Sequence, residues 1–297
     1  MFFNENDLLE LKINQEQNFV DQFIIVEAGE THTGLKKSYN FDHERFKKYG
    51  DKIIYAKFDS FSEEMSKYPN LASEDFTNIH KNQPNCNGED WGRENFQHEY
   101  AVKVLRDNNP EPESLIFFGG LDELFREEAF AKARAIFNKK EKYSLYSKVF
   151  HHYKSPVYMD AVIHFELDLY AFKFNLFSKK DICGLVTTLE NLSIHKISEF
   201  RVFAICSHEA LANGGWHFTF LDDTDGEKAL KKYKSWAHSR DVAAGRDPYF
   251  EMKDKEEAVK TVYRDYNLKI NNNFTSETHP KYLIDNFKKY EKYFAKE

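Results

Sequence analysis

The 297-residue sequence has only three cysteines and no run of about 20 apolar residues that could cross a bilayer. Cys86, Cys183 and Cys206 are widely separated, odd in number, and without the close pairing typical of metal-binding motifs. This usage fits a reducing compartment. The acidic start of the chain, MFFNENDLLELK, does not resemble a secretory signal. We therefore expect a soluble, cytoplasmic protein without a membrane anchor.

A positive net charge is also lacking, because 49 acidic residues outnumber 42 lysines and arginines and give a net charge of −7. That balance disfavours a nucleic-acid-binding protein. There is no internal repeat, and no P-loop, G-x-S-x-G or H-E-x-x-H motif. The chain is instead rich in apolar side chains, with 41% hydrophobic and 16% aromatic residues. This is enough to build a buried core and excludes disorder as the dominant state.

Short apolar runs alternate with helical patterns in the first 140 residues. Strands are predicted at 20–26, 53–56 and 114–118. Helices are predicted at 41–50, at 91–105 and around residues 129–137. Strands that alternate with helices indicate βαβ units, and the sequence therefore predicts an α/β fold with a mainly parallel central sheet flanked by helices.

Later segments differ in character. Between residues 157 and 203 the pattern predicts further strands, some of them antiparallel, and the glycines of 213–218 suggest a loop. A helix is expected at 226–240, where Thr224 and Glu227 have the spacing of a capping box. Another helix is expected at 280–294. One domain over 1–297 is the simplest organisation, with segments 1–140, 141–240 and a helical extension at 241–297.

Four polar segments are candidates for chemistry. Segment 27–34 (EAGETHTG) follows the first strand, where open parallel sheets bind ligands, although it could equally be a solvated loop. Segment 119–123 (GGLDE) follows the third strand, and Asp122 could hold a divalent metal or simply cap the next helix. In 213–218 (NGGWHF), Trp216 could cover a sugar and His217 could bind a metal. In 91–94 (WGRE), Arg93 is either aimed at a phosphate or paired with its helix neighbours.

Together these segments resemble glycosyltransferase family 17, which includes β-1,4-N-acetylglucosaminyltransferases acting on mannosyl glycoproteins. The resembling motifs keep their order from residue 3 to residue 238. They are 3–10 (FNENDLLE), 20–27 (VDQFIIVE), 31–37 (THTGLKK), 49–54 (YGDKII), 91–97 (WGRENFQ), 121–123 (LDE), 215–218 (GWHF) and 235–238 (SWAH).

The resemblance implies a GT-A type Rossmann-like fold and an inverting transferase that uses a UDP-sugar, commonly with Mn²⁺ or Mg²⁺. It implies that the donor is UDP-N-acetylglucosamine and that the acceptor is a glycan or glycoprotein. Asp122 and His217 are the expected metal ligands, and Glu123 is the first choice for catalytic base, with Asp222 and Asp223 as alternatives. The residues expected at the nucleotide-sugar are Glu27, Thr31, His32, Thr33, Lys37, Arg93, Glu94, Trp216 and His238.

Two positions depart from the family pattern. Gly120 stands where the family has the first Asp of an Asp-x-Asp-Glu sequence, and His98 stands where it has an arginine. We therefore expect the metal to bind weakly without nucleotide, and Gly120→Asp to tighten it. His98 would leave a charge that depends on pH. A catalytically inactive relative that only binds a nucleotide-sugar or carbohydrate is the alternative function, whereas a metal-dependent hydrolase has no supporting motif.

Overall fold

The computed structural model describes residues 2–72, 88–138, 162–206, 210–241 and 248–296. Its strands are β1 (Phe23–Ala28), β2 (Ile53–Phe58), β3 (Leu115–Phe118), β4 (Glu123–Phe125), β5 (Val162–Ala171), β6 (Leu176–Thr188), β7 (Leu211–Thr219) and β8 (Lys269–Ile270). Its α-helices are α1 (Asn6–Glu16), α2 (His43–Phe46), α3 (Phe61–Lys67), α4 (Gly88–Asp107), α5 (Glu127–Asn138), α6 (Leu189–Leu192), α7 (Ile197–Cys206), α8 (Glu227–Tyr233), α9 (Lys255–Tyr266), α10 (Lys281–Asp285) and α11 (Phe287–Tyr290). Short 3₁₀ helices occur at Lys47–Lys52, Ala237–Arg240, Tyr249–Glu251 and Glu291–Tyr293.

The strands form two sheets, which confirms a mixed α/β architecture. β1 and β2 are parallel and pair from Phe23–Ile53 to Ala28–Phe58. The larger sheet has six strands in the order β3-β6-β5-β7-β4, and β8 adds to β6. Within it, β5 and β7 are parallel, but β3–β6, β6–β5, β7–β4 and β6–β8 are antiparallel.

The prediction of a mainly parallel central sheet is therefore wrong. β5 and β6 are joined directly by residues 172–175, a connection too short for the crossover that a parallel pair requires. Three of the predicted strands, β1, β2 and β3, are present within a few residues of their predicted bounds.

The expected loop at 213–218 is instead part of strand β7. Its glycines are required by packing. Gly215 has φ 154°, and a Cβ there would collide with the carbonyl oxygen of Leu124 in β4. A Cβ on Gly214 would lie 2.5 Å from the Phe165 side chain of β5. Close contact with neighbouring strands, to a backbone at Gly215 and to a side chain at Gly214, explains the two glycines that we interpreted as a loop signal.

Two predicted helices are also corrected. Helix α8 ends at Tyr233, and its N-cap is Gly226 in a left-handed conformation rather than Thr224. The Asp222 carboxylate accepts the Ala229 N–H at 2.8 Å, and the Thr224 hydroxyl accepts the Lys228 N–H at 3.1 Å. Thr224 therefore does satisfy one N–H of the first turn, as predicted, although it is not the N-cap residue. The helix expected at 280–294 breaks at Asn286, whose φ of −117° is not helical.

The two ends of the chain share one hydrophobic core. Leu8 and Leu11 of α1 pack in the same cluster as Leu283, Tyr290 and Tyr293. Burying each such side chain stabilises the fold by about 2 kcal/mol relative to exposure. None of the helices in the described part of the chain combines the length and the apolar character needed to cross a membrane.

Candidate active site

A cavity of about 300 Å³ opens between the loop after β1, the loop between β3 and β4, and helix α8. It brings together side chains from residues far apart in the sequence. The predicted site residues that line it are Thr31, His32, Lys37, Glu94, Asp122, Glu123, His217 and His238.

The pairing of β4 with β7 brings the acidic residues to the histidine. In this antiparallel register Glu123 is directly opposite His217, and Leu124 is opposite Trp216. Because successive side chains of a strand point to opposite faces, His217 faces the cavity while Trp216 and Phe218 enter the core.

Asp122 is a charged residue at the centre of this group. Its Oδ2 accepts a hydrogen bond from the Lys232 ammonium at 2.9 Å and lies 3.6 Å from Nε2 of His217. Burial by itself raises the pKa of this carboxyl, but Lys232 and His217 hold the pKa well below its usual range. The following helix, α5, begins only at Glu127, so a helix-capping role for Asp122 is excluded.

His217 is held at both ring nitrogens. Nε2 faces Asp122, while Nδ1 lies 3.6 Å from the Cys183 sulfur and 3.8 Å from Oδ2 of Asp181. Burial lowers the pKa of the imidazole, yet Cys183 and the Asp122 carboxylate outweigh it and raise that pKa well above its ordinary value. Asp181 and Cys183 next to Nδ1 fix the ring and leave Nε2 for a metal ion, which would have to replace the proton that the raised pKa keeps on this nitrogen.

Glu123 lies almost fully buried beside Asp122, with 2% of its surface exposed. Arg201 of α7 donates to both of its carboxylate oxygens, from Nη2 at 3.2 Å and from Nη1 at 3.5 Å. Burial lowers the pKa of this guanidinium, but Glu123 and Glu94 raise the pKa above its usual value. The two contacts from the guanidinium give the cavity a carboxylate of fixed orientation.

The loop after β1 is a compact turn built by its threonines. The Thr31 and Thr33 hydroxyls hydrogen-bond each other at 2.8 Å, and Thr31 also accepts the Leu35 N–H at 3.0 Å. Thr33 donates to the carbonyl of Lys234 at 3.0 Å and is not among the residues lining the cavity. Thr31 therefore faces the cavity, whereas Thr33 ties the loop to the end of α8.

His32 extends from that loop toward helix α4. Its Nε2 is 2.9 Å from Oε1 of Gln97, and its Nδ1 is 3.6 Å from the Glu94 carboxylate. Burial lowers the pKa of the ring, although Glu94 opposes the shift. Arg93 donates to the His32 carbonyl at 3.0 Å and to Asp90 at 3.2 Å. Arg93 thus holds the loop in place and does not line the cavity, contrary to a direct role at a phosphate.

Four other predicted residues have structural surroundings. Glu27 is fully buried and accepts hydrogen bonds from Lys37 at 2.7 Å and from Tyr55 at 2.9 Å. Trp216 is 2% exposed, donates to the Thr278 carbonyl at 2.8 Å, and packs under Arg126. Asp222 caps α8, and Asp223 pairs with Lys228 and Lys292. The expected ligand contact of Trp216 and the expected basic role of Asp222 and Asp223 are thereby corrected.

His98 does not supply the pH-dependent charge that we expected from the sequence. It is 4% exposed and packs edge-on against Phe118, with ring centroids 5.2 Å apart. Burial, reinforced by the positive charge of Arg201, lowers the pKa of His98 well below its usual value, so the ring stays neutral. Arg201 supplies the permanent positive charge in this region instead.

His238 is an exposed residue at the rim of the cavity. Its Nδ1 lies 2.9 Å from Asp241, and its ring contacts Trp91 edge-on, with centroids 4.4 Å apart.

Several polar residues that line this cavity were not predicted as site residues, and Lys232, Arg201 and Gln97 are among them. Gln97 was part of the resembling WGRENFQ motif, which could have indicated its role. Lys232 is one of several lysines in α8, and Arg201 lies in a mostly apolar helix that also contains Ser198 and Glu199. No local pattern distinguishes Lys232 and Arg201 from other basic residues, because their partners Asp122 and Glu123 are 110 and 78 positions away in the sequence.

The chemistry of the residues present fits a divalent metal ion. Ligand atoms of Asp122, Glu123 and His217 lie within 4.8 Å of one another. Two carboxylates and an imidazole are a donor set that suits Mn²⁺. At position 120, a Cβ would lie 2.5 Å from Oδ1 of Asp122, so an aspartate there would require Asp122 to shift. The expected gain from Gly120→Asp thus depends on movement of Asp122.

Comparison with known proteins identifies the N-terminal part of the chain. Residues 1–130 match the model of glycosyltransferase family 17. The resemblance to this family is confirmed over those residues, which include the loop after β1, helix α4, Asp122 and Glu123. His217, Lys232 and His238 lie outside the match. Searches among curated proteins and among solved structures gave no match. The match to glycosyltransferase family 17 points to sugar transfer as the activity class.

Proposed function

We propose that this protein is an inverting glycosyltransferase, a hexosyltransferase that moves N-acetylglucosamine from UDP-N-acetylglucosamine to a hydroxyl of a glycan or glycoprotein. The observation that carries the proposal is the convergence of Asp122, Glu123 and His217 on the cavity that also receives the loop after β1. The family match over residues 1–130 supports it. In this proposal residues 1–297 form one domain of GT-A type, and the core shared by both chain ends supports a single domain.

In this proposal the nucleotide lies between the loop after β1 and helix α4. Thr31, His32 and Glu94 line that side of the cavity and offer hydroxyl, imidazole and carboxylate groups. Lys37, Lys232 and Arg201 contribute three cations to the same lining. Positive side chains close to a diphosphate stabilise both the bound donor and the charge that develops on the leaving group.

Glu123 is the proposed catalytic base. The acceptor oxygen forms a bond to the anomeric carbon while the bond from that carbon to the phosphate oxygen breaks, and the hydroxyl proton passes to the carboxylate. Attack opposite the leaving group inverts the configuration. Arg201 holds the carboxylate in one orientation, which an effective base needs. The electron pair of the broken bond leaves with the nucleoside diphosphate.

Asp122 and His217, with Glu123 nearby, are the residues that would hold Mn²⁺ or Mg²⁺. A bound divalent ion supplies neutralising charge to the diphosphate. Asp181 keeps the His217 ring oriented with Nε2 toward Asp122.

The alternative is an inactive protein that binds a nucleotide-sugar or carbohydrate, and Gly120 is the observation that favours it. Calorimetry with UDP-N-acetylglucosamine, with and without Mn²⁺, together with an assay of UDP release, separates the two functions. Binding with turnover supports the transferase. Binding without turnover on any of a panel of glycan acceptors supports the inactive relative. Absence of binding to any nucleotide-sugar contradicts both nucleotide-sugar proposals.

A further inference from the structure

The Lys232 ammonium holds the carboxylate that a metal ion would need. It donates to Oδ2 of Asp122 at 2.9 Å and to the Thr219 hydroxyl at 3.1 Å. Nε2 of His217, the nitrogen left for a metal, faces the same Asp122 oxygen at 3.6 Å. A divalent ion binding to this oxygen and to His217 would therefore come very close to the ammonium.

Two cations on one carboxylate oxygen repel each other, and partial burial of the site strengthens that repulsion relative to bulk water. The Lys232 side chain is 26% exposed and that of Asp122 is 20% exposed. If the ion displaces Lys232, the ammonium loses its carboxylate partner, which is costly for a poorly solvated charge. A diphosphate in the same cavity would give it a new anionic partner.

We propose that Lys232 exchanges partners during donor binding: it neutralises Asp122 in the nucleotide-free protein and moves to the donor diphosphate when a divalent ion takes Asp122. The identity of the anion rests on the proposed function. The exchange makes metal and nucleotide bind cooperatively, because each removes the obstacle to the other. By linkage, each ligand increases the affinity of the other by the same factor.

The other two cations of the cavity are less suited to this exchange. Arg201 makes two contacts to Glu123, and Lys37 is bound at 2.7 Å to Glu27, whose side chain is fully buried. If Arg201 moved away, the buried Glu123 carboxylate would lose its partner, and if Lys37 moved away, the buried Glu27 carboxylate would lose the ammonium that it binds. Of these three cations, only Lys232 pairs with Asp122, the proposed metal ligand. The Asp122 side chain is 20% exposed, whereas those of Glu123 and Glu27 are 3% and 0% exposed.

The test is a manganese titration of the nucleotide-free protein, followed by electron paramagnetic resonance of the free ion, for wild type, Lys232→Met and Lys232→Gln. Lys231→Met is the matched control, since Lys231 lies on the same helix and is exposed. We expect both Lys232 variants to bind Mn²⁺ about tenfold more tightly than wild type without nucleotide. The control should match wild type. Thermal unfolding shows whether each variant is folded. If Lys232→Met does not fold, Lys232→Gln still provides the test, because its neutral amide can donate a hydrogen bond to Asp122.

Repeating the titration with UDP completes the test. In wild type UDP should tighten Mn²⁺ binding about tenfold, and in the Lys232 variants by less than about threefold. Unchanged or weaker Mn²⁺ binding by folded Lys232 variants without nucleotide would overturn the exchange. That result would leave the proposed transferase intact, because donor binding and turnover are measured separately. Conversely, failure of every nucleotide-sugar to bind would refute the transferase without altering the competition of Lys232 and Mn²⁺ for Asp122.

Discussion

Glu123 and Arg201 form a two-contact ion pair inside the candidate active site, with their closest atoms 3.2 Å apart. The carboxylate comes from β4 and the guanidinium from α7, so the pair joins segments 78 positions apart in the sequence. Charged pairs of this kind fix geometry, and removing one partner leaves the other uncompensated.

Glu123→Gln tests the proposed base. The amide keeps the shape of the side chain but cannot accept a proton, so we expect UDP release in the presence of acceptor to fall about 100-fold or more. Steady-state kinetics measures this loss of turnover. Calorimetry should show a Kd for UDP within about threefold of wild type, since the substitution removes the base but leaves the groups that bind the nucleotide in place. Glu127→Gln, an exposed residue four positions away, is the matched control. Full turnover by Glu123→Gln would remove it as the base.

Trp216→Phe should affect stability and leave donor binding unchanged. The substitution removes the hydrogen bond from the indole to the Thr278 carbonyl and part of the packing under Arg126. We expect a loss of about 2 kcal/mol in the free energy of unfolding, measured by urea denaturation. A rise in KM for the donor without a change in stability would show instead that the indole contacts the ligand.

The case of Trp216 shows what could and could not be predicted from the sequence. The strands around Ile24, Ile54 and Ile116 were predicted because continuous apolar runs bounded by polar residues are a local signal. The glycines before Trp216 are also a local feature, but their causes are not. Gly215 is required by the Leu124 backbone of β4 and Gly214 by the Phe165 side chain of β5, and only strand pairing brings these neighbours close. Alternation along β7 then sends Trp216 inward and His217 outward.

In the candidate site, too, local features could be predicted from the sequence and contacts between distant segments could not. Asp122 and His217 were predicted together only through the family resemblance, since no spacing links them. Their contacts to Lys232 and Asp181 depend on tertiary packing and strand register. The pairing of β5 with both β6 and β7 could not be predicted either, because the hydrophobic periodicity of a strand does not indicate which strands are its neighbours in the sheet.

Arg93→Ala tests whether the loop after β1 forms part of the donor site. Loss of the hydrogen bond from the guanidinium to the His32 carbonyl should loosen this loop. A charged hydrogen bond of this kind contributes about 2 kcal/mol, so we expect the Kd for UDP to rise by up to about 30-fold, measured by calorimetry. Thr31→Ala, which removes the bond to the Leu35 N–H, should act in the same direction.

Arg264→Ala is the control, because this exposed residue pairs only with its neighbour Asp265 among the described contacts. If Arg93→Ala and Thr31→Ala both leave the Kd for UDP at the wild-type value, the nucleotide does not bind at this loop.

We expect the free energy of unfolding to decrease at low pH, in part because Glu10 becomes protonated. Burial by itself raises the pKa of this carboxyl, but hydrogen bonds from Lys289, Arg45 and Lys48 lower the pKa to about 2 from 4.5. Because the folded pKa lies below the unfolded value, the stabilisation is present above pH 4.5 and is lost as pH falls toward 2. Because Lys48 and Lys289 are 55% and 40% exposed, solvent screens these contacts, and we expect a contribution of about 1 to 2 kcal/mol to the free energy of unfolding.

Urea denaturation between pH 6 and the lowest pH at which the chain still folds measures this slope. Glu10→Gln should flatten it, while Glu277→Gln, an exposed residue of the 275–279 turn, should leave it unchanged. An equally steep loss of stability in Glu10→Gln would assign the acid sensitivity to other carboxylates.

The central claim is sugar transfer from a nucleotide-sugar by the cavity that holds Asp122, and release of UDP tests it most directly. Wild type, Asp122→Asn and Glu127→Gln are each incubated with a panel of nucleotide-sugars and glycan acceptors, with Mn²⁺, and the nucleoside diphosphate is quantified. We predict UDP release from UDP-N-acetylglucosamine by wild type and by Glu127→Gln, and a loss of about 100-fold or more in Asp122→Asn. Equal release by Asp122→Asn, or no release from any donor by the folded wild-type protein, would contradict the claim.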